Sequence, residues 1–335
     1  MLGLKGCNFA GYLMLFIFID MNGITSSVFF GAWSLFGGGK ELSLLAQRYL
    51  LSGNNFDAGA AERRRMELSA YLVSPSAAGG KMQRLGNYNP SWSIDVEYWK
   101  GAVDEDGFVM VLPVKDVLTK ESQGSGNVGM DDMSRALEWA YGNDSVSAVV
   151  LDVYSPGGSV HGTEGFGNMV AKNDKPVVAF GNDLVASAAY WVSCGAEWFI
   201  ASGDNARIGS IGAYLSFLDD RAWQAKEGVS IIDVYADGSD LKNVGIREYE
   251  DSGKVDVLRG EVNRYRDSFV SHVKSARGDR LKWQDNDSIF RGAMFDGRSA
   301  RRLGLVDELG SFSYAIEVAM KRAKKRKKMS NSVLG

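Results

Sequence analysis

The chain has 335 residues, 45% hydrophobic and 24% charged, enough for one large core with an appendage and too apolar for disorder over its whole length. A net charge of −3 argues against a dedicated nucleic-acid binder, although residues 321–328 (KRAKKRKK) hold seven of the 38 Lys and Arg. The two cysteines, Cys7 and Cys194, and the two histidines, His161 and His272, have no metal-ligand spacing, and distant cysteines suit a reduced, intracellular protein.

In chain order, the first feature is an apolar run from Tyr12 to Ile19. It is too short for a bilayer, which needs about 20 residues. With Lys5 before it and Thr25-Ser26-Ser27 after it, the run resembles a weak signal peptide without a small-x-small cleavage site. Initiation at Met21 is the alternative. A membrane role is the lesser expectation, and association through residues 7–36 remains open. Residues 28–75 read as helical and peripheral, so 1–75 are expected to form a mostly helical N-terminal region. Residues 76–106, rich in Ser and Gly and then irregular, read as a linker.

From Gly107 the pattern becomes α/β. Strand 108–114 (FVMVLPV) leads into a Gly/Ser-rich loop, a candidate mobile segment, and then a helix over 130–141. Strand 146–153, a helix after Gly162, strand 176–181, a helix at Ser187 and strand 198–202 follow. A helix over 219–227, a strand over 230–236 (SIIDVYA) and a long amphipathic helix over 255–276 come next. A basic helix closes the chain. The expectation is a core of parallel strands with helical crossovers over 107–320, with 321–335 as a basic tail.

Strand ends and adjacent helix starts are where such folds gather ligand-facing groups. Two of them carry Pro156-Gly157-Gly158 and Ser187. This points to Ser187 as a nucleophile and Gly158 as part of an oxyanion hole. A serine nucleophile needs a base within hydrogen-bond reach. Geometry excludes neither His161 nor His272, but both lack a supporting acid in an evident motif, and lysine is the alternative base. A lysine base must be neutral, with its pKa lowered from about 10.4 to about 7–8 by desolvation. Lys242, in DGSDLKNVG, follows a buried-type strand and a short turn and is the candidate. Lys115, Lys226 and Lys254 fall in a strand, a solvated helix and a charged loop. By spacing alone, Lys242 reads more often as a surface-loop residue. PGG alone is more often a plain turn, Asp152 a strand-end cap, and Cys194 a small buried hydrophobe.

The segments DVYSPGGSV, LVASAAYWVSCGAEWFIAS, RIGSIGAYLSF, YADGSDLKNVG and FDGRSARRLGLVDELG resemble, in the same order, the signal peptide peptidase A family. They look especially like its phage branch, the prohead and capsid-maturation proteases. The resemblance covers residues 107–320 and implies a ClpP/crotonase-like core. It implies Ser187 as nucleophile, Lys242 as base, the N–H groups of Gly158 and Ala188 as oxyanion donors, and Ser210 as a residue orienting the lysine. No metal, nucleotide or other cofactor is implied. It further implies homo-oligomers and, as substrates, scaffold or capsid proteins cut in the host cytoplasm or the prohead. One departure is Ser187-Ala188-Ala189 where the family often has Ser-Gly-Gly.

Alternatives are a membrane-associated signal peptide peptidase, a crotonase-like acyl-CoA enzyme that needs no Lys242, and a catalytically silent assembly protein. The basic tail offers a weak nucleic-acid contact.

Overall fold

A computed structural model describes residues 70–73, 107–122, 127–217 and 219–334. The apolar run within 7–36, most of the expected helical region, the linker and part of the Gly/Ser-rich loop lie outside these residues.

The core is an eight-stranded sheet. β1 (Tyr71–Val73) pairs antiparallel with β2 (Phe108–Leu118), and β2, β3 (Val146–Gly158), β4 (Val177–Ala186) and β5 (Trp198–Ala201) run parallel. The crossovers are α1 (Met130–Gly142), α2 (Thr163–Lys172) and α3 (Ala188–Ser193). β6 (Arg207–Gly209) continues alongside the end of β4 and pairs antiparallel with β7 (Met294–Asp296). After α7 (Gly297–Arg302), strand β8 (Glu308–Leu309) pairs parallel with β5. The expected architecture of parallel strands with helical crossovers is the one observed.

Both faces of the sheet are covered, which is why the central strands read as nearly continuous apolar runs. Met110, Leu112, Val149, Leu151, Val153, Val177 and Ala179 point into the larger core beneath α1, α2 and α3. Their sequence neighbours Val109, Val111, Ala148, Val150, Val178 and Phe180 pack on the other side, against Ala315, Ala319 and Met320 of α8 (Phe312–Leu334). α8 continues without a break past residue 320, so the basic segment 321–335 begins inside a helix. Arg322 and Arg326 of α8 both bind Glu197, just before β5, at 2.6 Å, and fasten the helix along its length.

Four local differences from expectation appear, two of them with a physical cause. Tyr71–Val73 lies in a stretch that reads as helical, but the open edge of β2 offers ladder partners to an aromatic and β-branched triplet. Residues 230–236 form no strand, because no sheet edge lies beside them, and Ile232 and Val234 are 83% and 90% exposed. α4 (Arg221–Lys226) is shorter than expected. A further helix, α5 (Val244–Ser252), follows Lys242 without a sequence signal strong enough to announce it.

The long α6 (Asp256–Arg277) buries its C-terminal half through Phe269, Val270 and Val273. It ends in Arg277, whose guanidinium makes a bidentate bond to Asp307 at 2.8 and 3.1 Å and donates to the Gly304 carbonyl. Asp307 also accepts from the Phe199 N–H and from Arg280. One carboxylate thus ties α6, β5 and the approach to β8, with 0% and 4% of the Arg277 and Asp307 side chains exposed. Removing one partner of a buried pair strands the other charge, at a cost of about 3–5 kcal/mol. Asp307→Ala should therefore lower the unfolding free energy by about that amount in urea denaturation. Arg259→Ala, whose pair with Asp256 is largely exposed, should lose under about 1 kcal/mol.

His272, also on α6, lies 6.2 Å from the Trp191 ring, with its Nε2 buried. Burial lowers its pKa, and Glu164 opposes that only in part. The native state holds the ring neutral while the unfolded chain protonates near pH 6.5. This contribution is therefore complete above about pH 6.5 and is lost on acidification. Thermal melts between about pH 7.5 and about pH 5 should show a steeper fall for the wild type than for His272→Gln.

Candidate active site

The C-terminal end of β4 is held on both sides. β3 pairs with it through Ser155 opposite Val185, and β6 through Gly209 opposite Ala186. The chain must then turn at once into α3. It does so at Ser187, with φ 53° and ψ −125°. A non-glycine residue there stores strain of about 1–3 kcal/mol, which persists only where the surroundings impose it. The impositions are visible: the Ser187 N–H donates to the Gly209 carbonyl at 2.9 Å, and its carbonyl accepts from Trp191 N–H at 3.0 Å. A sharp strand-to-helix turn of this kind lifts a serine hydroxyl above the sheet, as in a nucleophile elbow. Ser187 is half-buried, and among the described residues its Oγ has no hydrogen-bond partner.

The PGG turn lies against this serine. A Cβ at Gly157, whose φ is +98°, would stand 2.7 Å from the Ser187 Cβ and 2.9 Å from the Ala188 nitrogen. Glycine thus keeps the space in front of the serine and the Ala188 N–H open. The Gly157 N–H itself donates to Ser155 Oγ at 3.1 Å, so it is already engaged. Gly158 sits opposite Leu118 of β2, where a Cβ would meet the Leu118 carbonyl. Ala188, with φ left to the helix, adopts the first turn of α3 without needing a glycine.

Ser155 was not singled out by sequence, yet it organises this corner. Its hydroxyl donates to the carbonyl of Asp116, a residue at φ 57° beside a register shift in β2, and accepts from Gly157. A small polar residue directly before PGG was the available signal. Asp152 does not cap a turn; it pairs with Lys115 at 2.7 Å and accepts from Asn182. Ser210 follows Gly209, has φ 55° and donates its N–H to the Ala293 carbonyl, next to the Ser187 turn.

The structure therefore brings Gly157, Gly158, Ser187, Ala188 and Ser210 to one corner. It does not join Lys242 to them by hydrogen bond or ion pair. Lys242 lies exposed in the turn before α5, its N–H bonded to the Ser239 carbonyl and its carbonyl accepting from Arg247. His161 is exposed and edge-on to Tyr265, and His272 packs on Trp191 behind α3. Neither binds Ser187. Cys194 is buried at the end of α3, and burial pushes its thiol up to about 12, which leaves it a packing residue. No helix among the described residues is long and apolar enough to cross a membrane.

Residues 170–326 match the model of peptidase family S49. Protease 4 of Haemophilus influenzae is 30% identical over 217 residues, which cover 63% of this chain and 34% of that protein. Capsid assembly protease C of Escherichia phage lambda is 26% identical over 216 residues, covering 63% and 48%. Among solved structures, a mutant ClpP1 from Listeria monocytogenes aligns at a TM-score of 0.39 and 15% identity, over 65% of this chain and 99% of that one. The chain thus spans between a third and a half of the length of these curated relatives. Through residues 170–326, the chain is similar to peptidase family S49.

Proposed function

We propose that the chain is a serine endopeptidase in which Ser187 is the nucleophile and Lys242 the general base, and that it cuts scaffold or capsid proteins during phage prohead maturation. The observation that carries this reading is the strained turn at Ser187, whose hydroxyl has no hydrogen-bond partner among the described residues and whose Cβ borders the space that Gly157 keeps open. Backbone strain concentrates where a side chain must be presented to a ligand. The similarity to a capsid assembly protease from phage lambda supports the choice of substrate.

In this mechanism the neutral Lys242 amine takes the Ser187 proton as Oγ attacks the peptide carbonyl carbon. The N–H groups of Gly158 and Ala188 donate to the resulting oxyanion, each worth about 3–4 kcal/mol in comparable sites. The lysine returns the proton to the departing amine, and water deprotonated by the same amine then hydrolyses the acyl ester. Ser210 orients the lysine.

The exposed setting of Lys242 in one chain calls for a drier environment, and self-association supplies it. Ile231, Ile232, Val234 and Leu241 are all more than 60% exposed, a grouping of apolar surface that monomers rarely leave in water. Association of copies through this segment would desolvate the lysine's surroundings.

Casein or scaffold-protein cleavage should be lost in Ser187→Ala and in Lys242→Ala, by about 10³-fold or more in kcat. Equal turnover in wild type and both variants would sink the dyad, and turnover of a CoA thioester would favour the crotonase-like alternative. Gly157→Ala should lower kcat by about 10²-fold or more while the protein stays folded, because the added methyl crowds both the serine and a donor. Retained activity in that variant would mean that the oxyanion lies elsewhere.

A further inference from the structure

The basic run of α8 divides into three sets by helical position. Arg322 and Arg326, one turn apart, face the sheet and are spent on Glu197, with Arg322 also stacked over Trp198 at 4.3 Å. Lys324 and Lys327 line a cleft of about 270 Å³ together with Asp144 and Asp174. The remaining three, Lys321, Lys325 and Lys328, recur at i, i+4 and i+7 and form a single exposed stripe. Among the described residues none of these three has an ion-pair partner.

The fold does not account for this stripe. Cations steady a helix in its last turn, but the last turn of α8 has no basic residue, and the lysines lie earlier. Glu317 stands one turn before Lys321 and no acidic residue follows it, so Lys325 and Lys328 have no carboxylate three or four residues away on the helix. Like charges at the spacings 321/325 and 325/328 oppose helix formation. The helix is nonetheless fixed along the sheet by its apolar face and its two arginines, so the three ammonium groups are held in place.

We propose that this lysine stripe is a docking surface for the phosphate backbone of double-stranded nucleic acid. The stripe rises by about 10.5 Å, a length over which a duplex presents about six phosphates. Lysines are point charges suited to backbone contact without sequence reading. Residues 321–335 contain no Phe, Tyr or Trp, so the surface lacks the stacking platform that single strands use. Over the same length an extended acidic segment carries at most about three charges, half those of a duplex, which makes it the poorer fit. The stripe lies on the sheet face opposite α3, so a duplex bound there leaves the Ser187 corner open. This proposal is independent of the protease reading.

The test is fluorescence anisotropy of a labelled duplex of about 20 bp with the full chain between about 50 and about 200 mM KCl. The comparison protein is the triple variant Lys321→Gln/Lys325→Gln/Lys328→Gln, whose fold is checked by its melting curve. Binding should weaken with salt, and the log–log slope should be shallower in the variant by about 2.7, equivalent to roughly 40-fold over that salt range. The proposal is overturned by an unchanged slope, by an absence of binding at the lowest salt, by tighter binding of the single strand, or by displacement of the duplex by polyglutamate at equal charge concentration.

Discussion

The backbone conformation of one residue, Ser187, is the constraint on which the functional corner depends. β4 cannot run on, because β3 and β6 grip its end from both sides, and it cannot leave gradually, because α3 begins at the next residue. The unfavourable φ is the outcome of these two demands. Gly157 and Gly209 make the grip possible: side chains there would collide with Ser187 on one flank and with the Ala293 carbonyl on the other. The hydroxyl is thus presented by the sheet as a whole and not by a flexible loop.

A second layer of support lies behind this corner. Trp191 stacks on Phe269 with ring centroids 4.7 Å apart, and the Tyr190 hydroxyl donates to the Leu305 carbonyl. α3 is six residues long and all of its side chains are buried, so its position is dictated by α6 and by the segment that Asp307 organises. A carboxylate at residue 307 therefore bears on the geometry at residue 187 through packing alone. This gives the turn its rigidity.

Much of the core could be read from the chain because strands buried on both faces leave a plain trace of nearly continuous apolar residues. The runs at 108–114, 146–153 and 176–181 became strands, longer by several residues wherever pairing carried the ladder onward. Ser187, PGG and Ser210 also converge as their positions at strand ends suggest. What escaped reading shares one cause: it depends on partners distant in sequence. SIIDVYA has the composition of a strand, yet pairing needs an edge and none adjoins it. Asp152 looks like a cap until Lys115 is found beside it, and Arg277 with Asp307 is a contact across 30 residues that no local pattern encodes. Lys242 belongs to the same class, because its neighbours within one chain do not define its role.

The arginine anchors of α8 carry a practical consequence for the boundaries of the protein. Composition invites a cut near residue 320, where lysine and arginine begin to dominate. Such a cut would strip Glu197 of both its cations. Ala315, Ala319 and Met320 would still lie over Val109, Val111, Val150 and Phe180, but on a short helix that has lost both of its ion-pair anchors. The highly charged end of the chain is what fastens the sheet's roof in place.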